Sequence, residues 1–155
     1  MKVFFASDHA GFALKAELIS FVRDELGFEV EDCGAYEMDE RDDYPEIIIR
    51  AAQQVSAKLE ASRAIVLGGS GGGEAIVANR FSGVRATVYY GGDLEIVRLS
   101  REHNDANVLS LGARFINEEE AKSAVRLWLD TPFSGEERHV RRLEKIKAIE
   151  LGEGV

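Results

Sequence analysis

The chain has 155 residues, a single cysteine and a formal net charge of -9. That length suits one domain, residues 1–155, burying roughly 70% of the surface its unfolded chain exposes. Lone Cys33 excludes an internal disulfide and a cysteine-built metal site and fits a reducing, cytoplasmic setting, while the acidic excess argues against nucleic acid and no apolar run approaches a membrane span.

The N-terminal apolar stretch is too short for a signal peptide. Val3-Phe4-Phe5-Ala6 reads as a short buried strand. Gly11 to Leu26 reads as a helix with Leu14, Leu18, Phe21, Val22 and Leu26 on its apolar side, stopped by Gly27. Residues 28–32 alternate and predict a second strand. A charged loop from Glu37 to Asp43 leads to Tyr44-Pro45, where proline suits the first turn of a helix reaching about Leu59.

Ala64 to Leu67 predicts a third strand, followed by Gly68-Gly69-Ser70-Gly71-Gly72-Gly73 and a short helix from Glu74 to Arg80. Val84 to Tyr90 predicts a fourth strand, Asp93 to Arg101 a helix, and Asn107 to Leu111 a fifth strand. Glu118 to Asp130 and Glu136 to Leu151 predict the last two helices. Alternating strands and helices imply a doubly wound α/β fold: a five-stranded parallel, Rossmann-like sheet flanked by helices, with a long C-terminal helix. Ligands in such folds sit at the carboxyl ends of the strands. That rule selects Ser7 to Gly11, Gly68 to Glu74 and the loops flanking the fourth and fifth strands.

Five glycines and a serine between a strand and a helix expose a row of backbone N–H groups, which suits an anion. The loop lacks the Gly-Lys-Ser/Thr end of a P-loop and fails the dinucleotide fingerprint in either alignment. Gly68-Gly69-Ser70-Gly71-Gly72 does match the G-x-S-x-G of serine hydrolases, with His103 and His139 downstream, although the chain is short for that fold. Glu74, in the first turn after the loop, is either a carboxylate favoured by the helix dipole or a base. As a base beside Gly71, Gly72 and Gly73 it suits removal of a proton next to a carbonyl, with the amides holding the resulting oxyanion.

Asp8 suits a helix cap, and His9 either touches an anion or is exposed. His103-Asn104-Asp105 precedes the fifth strand, and a histidine there can move protons on sugar hydroxyls near neutral pH. Arg138 and Arg142 lie about 40° apart around the last helix. They form either a phosphate clamp or part of an ordinary charged face.

Together, Ser7-Asp8-His9-Ala10-Gly11-Phe12, Asp43-Tyr44-Pro45, Gly69 to Glu74 with Ala78-Asn79, and Ser100 to Leu109 with Gly112-Ala113-Arg114 resemble ribose-5-phosphate isomerase type B. The superfamily also contains galactose-6-phosphate isomerase subunits. Arg138-His139 and Arg142 add a weaker stretch. The resemblance implies an aldose–ketose isomerase of ribose 5-phosphate and ribulose 5-phosphate that uses no metal or organic cofactor. It also implies a homodimer, sometimes a tetramer, with active sites shared between subunits. By position, Glu74 would be the base and His103 the acid that opens the sugar ring, helped by Asp8. Ser70, Gly71, Gly72, Gly73 and Asn104 would steady the enediolate, with Gly69 in the same loop. His9, Arg114, Arg138 and Arg142 would hold phosphate, and Tyr44 would line the pocket. One branch uses a cysteine base where Gly68 stands here, which places the chain with the glutamate branch. Gly72 replaces a bulkier residue and widens the options to six-carbon sugar phosphates. A non-catalytic sugar-phosphate sensor is the remaining alternative.

Overall fold

In a computed structural model, which describes residues 1–153, all five expected strands are present and parallel. They are β1 (Lys2–Ser7), β2 (Glu29–Asp32), β3 (Ser62–Gly68), β4 (Ala86–Tyr89) and β5 (Val108–Gly112), arranged β2-β1-β3-β5-β4. The helices are α1 (Phe12–Ser20), α2 (Tyr44–Ala57), α3 (Gly72–Ala78), α4 (Glu95–Glu102), α5 (Glu118–Asp130) and α6 (Glu137–Glu150).

The apolar runs make this sheet because both of its faces are covered. Val3, Phe5, Ile65, Leu67, Leu109 and Leu111 point to one side, against Leu18 and Val22 and the wholly buried Trp128 of α5. Their neighbours Phe4, Ala6, Ala64, Val66 and Val108 point to the other, against Ile48, Ala51, Ala52 and Val55 of α2. Each fully buried large apolar side chain contributes about 1.5–3 kcal/mol.

Local signals set several helix ends. Asn117 and Glu120 form a reciprocal capping box at the start of α5, and Pro45 sits in the first turn of α2. The expected helix from Gly11 to Leu26 is subdivided. A 3-10 turn at His9–Gly11 precedes α1, and a π turn at Phe21–Glu25 follows it, closed by the bond from the Leu26 N–H to the Phe21 carbonyl at 3.1 Å. Gly27 then stops the helix at φ +74°. Helix α3 starts two residues earlier than expected, so Gly72 and Gly73 are helical. Glycine's poor helix propensity concealed this.

The chain turns outward from β1 to β2 and then crosses back to β3. That reversal opens a crevice outside the carboxyl ends of β1 and β3. Ser7 pairs with Leu67, and Gly68 with Gly112, so the loops after β1, β3 and β5 leave the sheet side by side.

At the opposite, amino edge, the Asn107 side chain bridges the Arg85 N–H and the Gly83 carbonyl. Asp105 pairs with Arg85 and Arg101. Helix α6 docks at this edge, where Glu150 accepts bonds from the Ser82 hydroxyl and the Gly83 N–H.

Candidate active site

A cleft of about 460 Å³ at the carboxyl edge is lined by Asp8, Tyr44, Gly69, Ser70, Gly73, Glu74, Arg114 and Phe115. Three loops build it. The loop after β1 brings Asp8, the glycine loop after β3 brings Ser70 and Glu74, and the exit from β5 brings Arg114.

The glycine loop is tied to β5. The Ala113 and Arg114 N–H groups donate to the Gly68 and Gly69 carbonyls at 2.9 and 3.1 Å, and the Ser110 hydroxyl donates to the Gly71 carbonyl at 2.6 Å. Gly71 caps α3 at φ +78°, a left-handed conformation that a residue with a Cβ rarely adopts. A Cβ on Gly73 would lie 2.7 Å from the far end of the Tyr44 ring, so the bare glycine lets that ring lie on the loop. Tyr44 therefore packs directly on the first turn of α3. The Ser70 hydroxyl accepts a bond from the Gly72 N–H at 3.3 Å. Gly72 itself is open, since an added Cβ would meet only the Ser70 hydroxyl at 3.5 Å.

Glu74 is buried, with 4% of its surface exposed, and its carboxylate lies against Gly68. Burial pushes its pKa above the ordinary 4.5, and the negative charge of Asp8 pushes it the same way. A bond from its own backbone opposes them. A carboxylate so placed binds a proton more readily than one in water, which suits a base.

Asp8 does cap the turn after β1, its Oδ1 accepting from the Ala10 and Gly11 N–H groups at 2.9 and 3.2 Å. His9 is half-buried beside it, and its Nδ1 lies 2.6 Å from Asp42 Oδ1. That bond raises the imidazole pKa above 6.5, Asp8 adds to the rise, and Arg114 opposes it. Asp8, His9 and Asp42 bring ligand-type atoms within 4.8 Å of one another, with Nδ1 of His9 already engaged by Asp42.

The remaining expected site residues lie elsewhere. His103 and Asn104 follow α4 and precede β5, which puts them at the amino edge of the sheet. The Asn104 carbonyl accepts from Arg85 there. The His103 ring stacks on His139 of α6, centroids 4.2 Å apart. His139 is buried and its Nδ1 lies 2.7 Å from the Ser134 hydroxyl. Burial pushes the His139 pKa down, with His103 the next contributor. Arg138 and Arg142 are exposed on the same helix, Arg138 paired with Glu136 at 2.9 Å.

Strands of this length separate the two edges by about 17 Å. Asp8, His9, Tyr44, Gly69, Ser70, Gly71, Gly72, Gly73, Glu74 and Arg114 thus gather at one edge. His103, Asn104, Arg138 and Arg142 gather at the other. The expected grouping of the loop before the fifth strand with the carboxyl-end loops does not occur within one chain, because a segment entering a parallel strand lies at its amino end. Two contributors were not anticipated. Asp42 was hidden in a charged loop without periodicity, and Phe115 followed Arg114 without any signal of its own.

The arrangement offers an ionisable carboxylate beside a helix N-terminus, with a cation nearby, and forms no hydrolase triad among the described residues. The Ser70 hydroxyl has no histidine partner among the described residues, since His9 is turned to Asp42 and the other two histidines sit at the far edge.

Residues 3–146 match the family model described as Ribose/Galactose Isomerase. The chain is 41% identical over 144 residues to ribose-5-phosphate isomerase B of Mycolicibacterium paratuberculosis, covering 93% of this chain and 88% of that one. It is 41% identical over 149 residues to ribose-5-phosphate isomerase B of Escherichia coli, covering 96% of each. Its fold superposes with a TM-score of 0.90 on ribose-5-phosphate isomerase B of Mycoplasma genitalium with bound ribulose-5-phosphate, at 35% identity over 97% of this chain and 96% of that one.

Proposed function

The chain belongs to the ribose/galactose isomerase family, and from that premise we propose that it interconverts ribose 5-phosphate and ribulose 5-phosphate through an enediolate, with Glu74 as the base. The observation that carries this is the buried Glu74 carboxylate, its proton affinity raised, in the first turn of a helix capped by bare glycines.

The chemistry follows from the groups present. The substrate's ring opens first: His103 donates a proton to the ring oxygen as the C1–O bond breaks, and the C1 hydroxyl gives up its own proton to Asp8 or water. Glu74 then removes the proton from C2 of the aldose and returns it to C1, while the C2 hydroxyl proton passes to O1, so that the carbonyl moves from C1 to C2. The oxyanion that develops is held by the amides around Gly71, Gly72 and Gly73 and by Ser70. Donors of this type each lower a barrier by about 3 kcal/mol. Asp8 stands beside Glu74, while Tyr44 and Gly69 wall the sugar. His9, Arg114, Arg138 and Arg142 supply positive charge for the phosphate. The sequence of steps uses only side chains and amides of the protein and calls on no metal or organic cofactor.

Such a site needs two copies of the chain, because His103, Asn104, Arg138 and Arg142 lie at the edge remote from Glu74. A homodimer with two shared sites brings the edges together. Helix α6 and its C-cap support it by exposing Val140, Ile146, Ile149 and Leu151, side chains that a second copy would cover. Whether such dimers pair into tetramers is a further proposal that sedimentation would decide. No helix among the described residues is long and apolar enough to cross a membrane, and a single-domain cytoplasmic enzyme fits the low cysteine content.

One observation favours a second substrate class. No side chain fills the space beside Gly72, and on that ground a six-carbon phosphate such as allose or galactose 6-phosphate is the alternative. Measuring kcat/KM on five- and six-carbon sugar phosphates decides between them. A preference of tenfold or more for ribose 5-phosphate supports the pentose, and the reverse overturns it. Binding without turnover of either would instead identify a sensor.

A further inference from the structure

The charged segment before α2 carries a residue with a defined task. Asp42 Oδ1 accepts two bonds from His9, from Nδ1 at 2.6 Å and from the backbone N–H at 3.2 Å. Its Oδ2 is buried without a partner, so His9 is the only hydrogen-bond partner of this carboxylate among the described residues. The side chain is 11% exposed, which shields the pair from water and strengthens it. Two residues on, Tyr44 opens α2 and packs on Gly73. One contact therefore links the loop, the turn after β1 and the pocket wall.

We propose that Asp42 is a positioning residue: by holding Nδ1 of His9 it fixes the imidazole plane and leaves Nε2 as the nitrogen presented to the substrate phosphate. This rests on the sugar-phosphate function above and adds to it a group that does not itself touch substrate. The chemistry is that of an imidazole whose second nitrogen is oriented by a carboxylate. The charged groups facing the ring are Asp42, Asp8 and Arg114. The two carboxylates favour the protonated ring, which donates from Nε2, and Arg114 opposes it while adding its own charge for the anion. Phosphate binding through His9 is then strongest at low pH and weakens as pH rises through the His9 pKa, which lies above 6.5.

The test uses the full-length protein, its Asp42→Asn and His9→Asn variants and the double variant. The chain has three histidines, so their ring signals can be separated by NMR. In Asp42→Asn the His9 titration should move down toward the ordinary value of 6.5. Inorganic phosphate should shift the His9 signals of the parent protein, and its affinity should fall about tenfold in either single variant. Turnover of ribose 5-phosphate should show a raised KM with kcat changed less than about twofold, and the double variant should be no worse than His9→Asn alone. The proposal is overturned if Asp42→Asn leaves the His9 titration and phosphate affinity unchanged, or if it weakens phosphate equally in the His9→Asn background. Because the NMR readout needs no turnover, a protein that fails to isomerise the sugar but retains the Asp42-dependent phosphate response would keep this proposal and remove only the isomerase function.

Discussion

The carboxylate of Glu74 fills the space that a side chain on Gly68 would need. The two positions belong to different elements, the end of β3 and the first turn of α3, yet they compete for one volume. A glycine at 68 is therefore a condition for the inward position of the Glu74 carboxylate. A side chain at 68, a cysteine included, and an inward Glu74 exclude each other in this backbone.

Gly68→Ala should disable the enzyme without unfolding it. Gly68 has no positive φ, and the atoms its Cβ would meet are the flexible end of Glu74. The carboxylate should swing away, lowering kcat by about 10²-fold or more, the scale of a lost general base. Thermal unfolding should shift by only a few degrees. Steady-state kinetics and calorimetry on the same preparation check both halves, and an alanine variant with parental kcat would show that the base does not depend on this space.

The acid side of the pH profile should report Glu74. Its pKa is raised by burial and by Asp8, so the base is protonated, and kcat/KM lost, as pH falls through a value above 4.5. The same shift destabilises the native protein when Glu74 is ionised. Below 4.5 the group is neutral in both native and unfolded chains, and its contribution is complete. As pH rises through the raised native pKa that contribution is lost. Glu74→Gln should therefore raise the melting temperature at pH 7, and the gain should vanish near pH 4. A gain that persisted at acid pH would point to packing instead of charge.

Mixing two inactive variants should restore activity. Glu74→Gln would remove the proposed base at one edge of the sheet, and His103→Ala the proposed acid at the other. In a dimer with shared sites, a mixed pair carries both defects in one pocket and none in its twin. Random pairing of equal amounts then gives about a quarter of parental activity. Co-refolding or co-expression followed by an isomerase assay reads this directly. No recovery, with mixed dimers demonstrated, would mean that each site is built from one chain.

Arg142→Ala should act on binding more than on chemistry. Arg142 is exposed on α6 near His139, and a charge-assisted bond to phosphate is worth about 1.5–3 kcal/mol. KM should rise about tenfold or more with kcat largely kept. An unchanged KM would remove Arg142 from the phosphate site.

Much of the fold was legible because its signals are local. Val3 to Ala6 and Ala64 to Leu67 are continuous apolar runs, and α5 occupies the residues its pattern predicts, Glu118–Asp130. Strand order was not legible, since pairing of β3 with β5 joins residues such as Gly68 and Gly112 that carry no sequence mark of each other. The π turn at Phe21 leaves no mark in the sequence, because the apolar pattern continues through it. For the site, the glycine run and Glu74 stood out by composition, and Asp8 by its capping chemistry. The separation of His103 from Glu74 did not, because which edge a residue occupies depends on whether it enters or leaves a strand. Asp42 was one acid among many between Glu37 and Asp43, and only the fold brings it against His9.

The most direct test of the central claim is to incubate the protein with ribose 5-phosphate in heavy water and follow the sugar by NMR, beside Glu74→Gln. The account predicts conversion to ribulose 5-phosphate with deuterium entering at the carbon that exchanges its proton, and loss of both signals by about 10²-fold or more in the variant. Conversion and deuterium uptake by Glu74→Gln at the parental rate would contradict it.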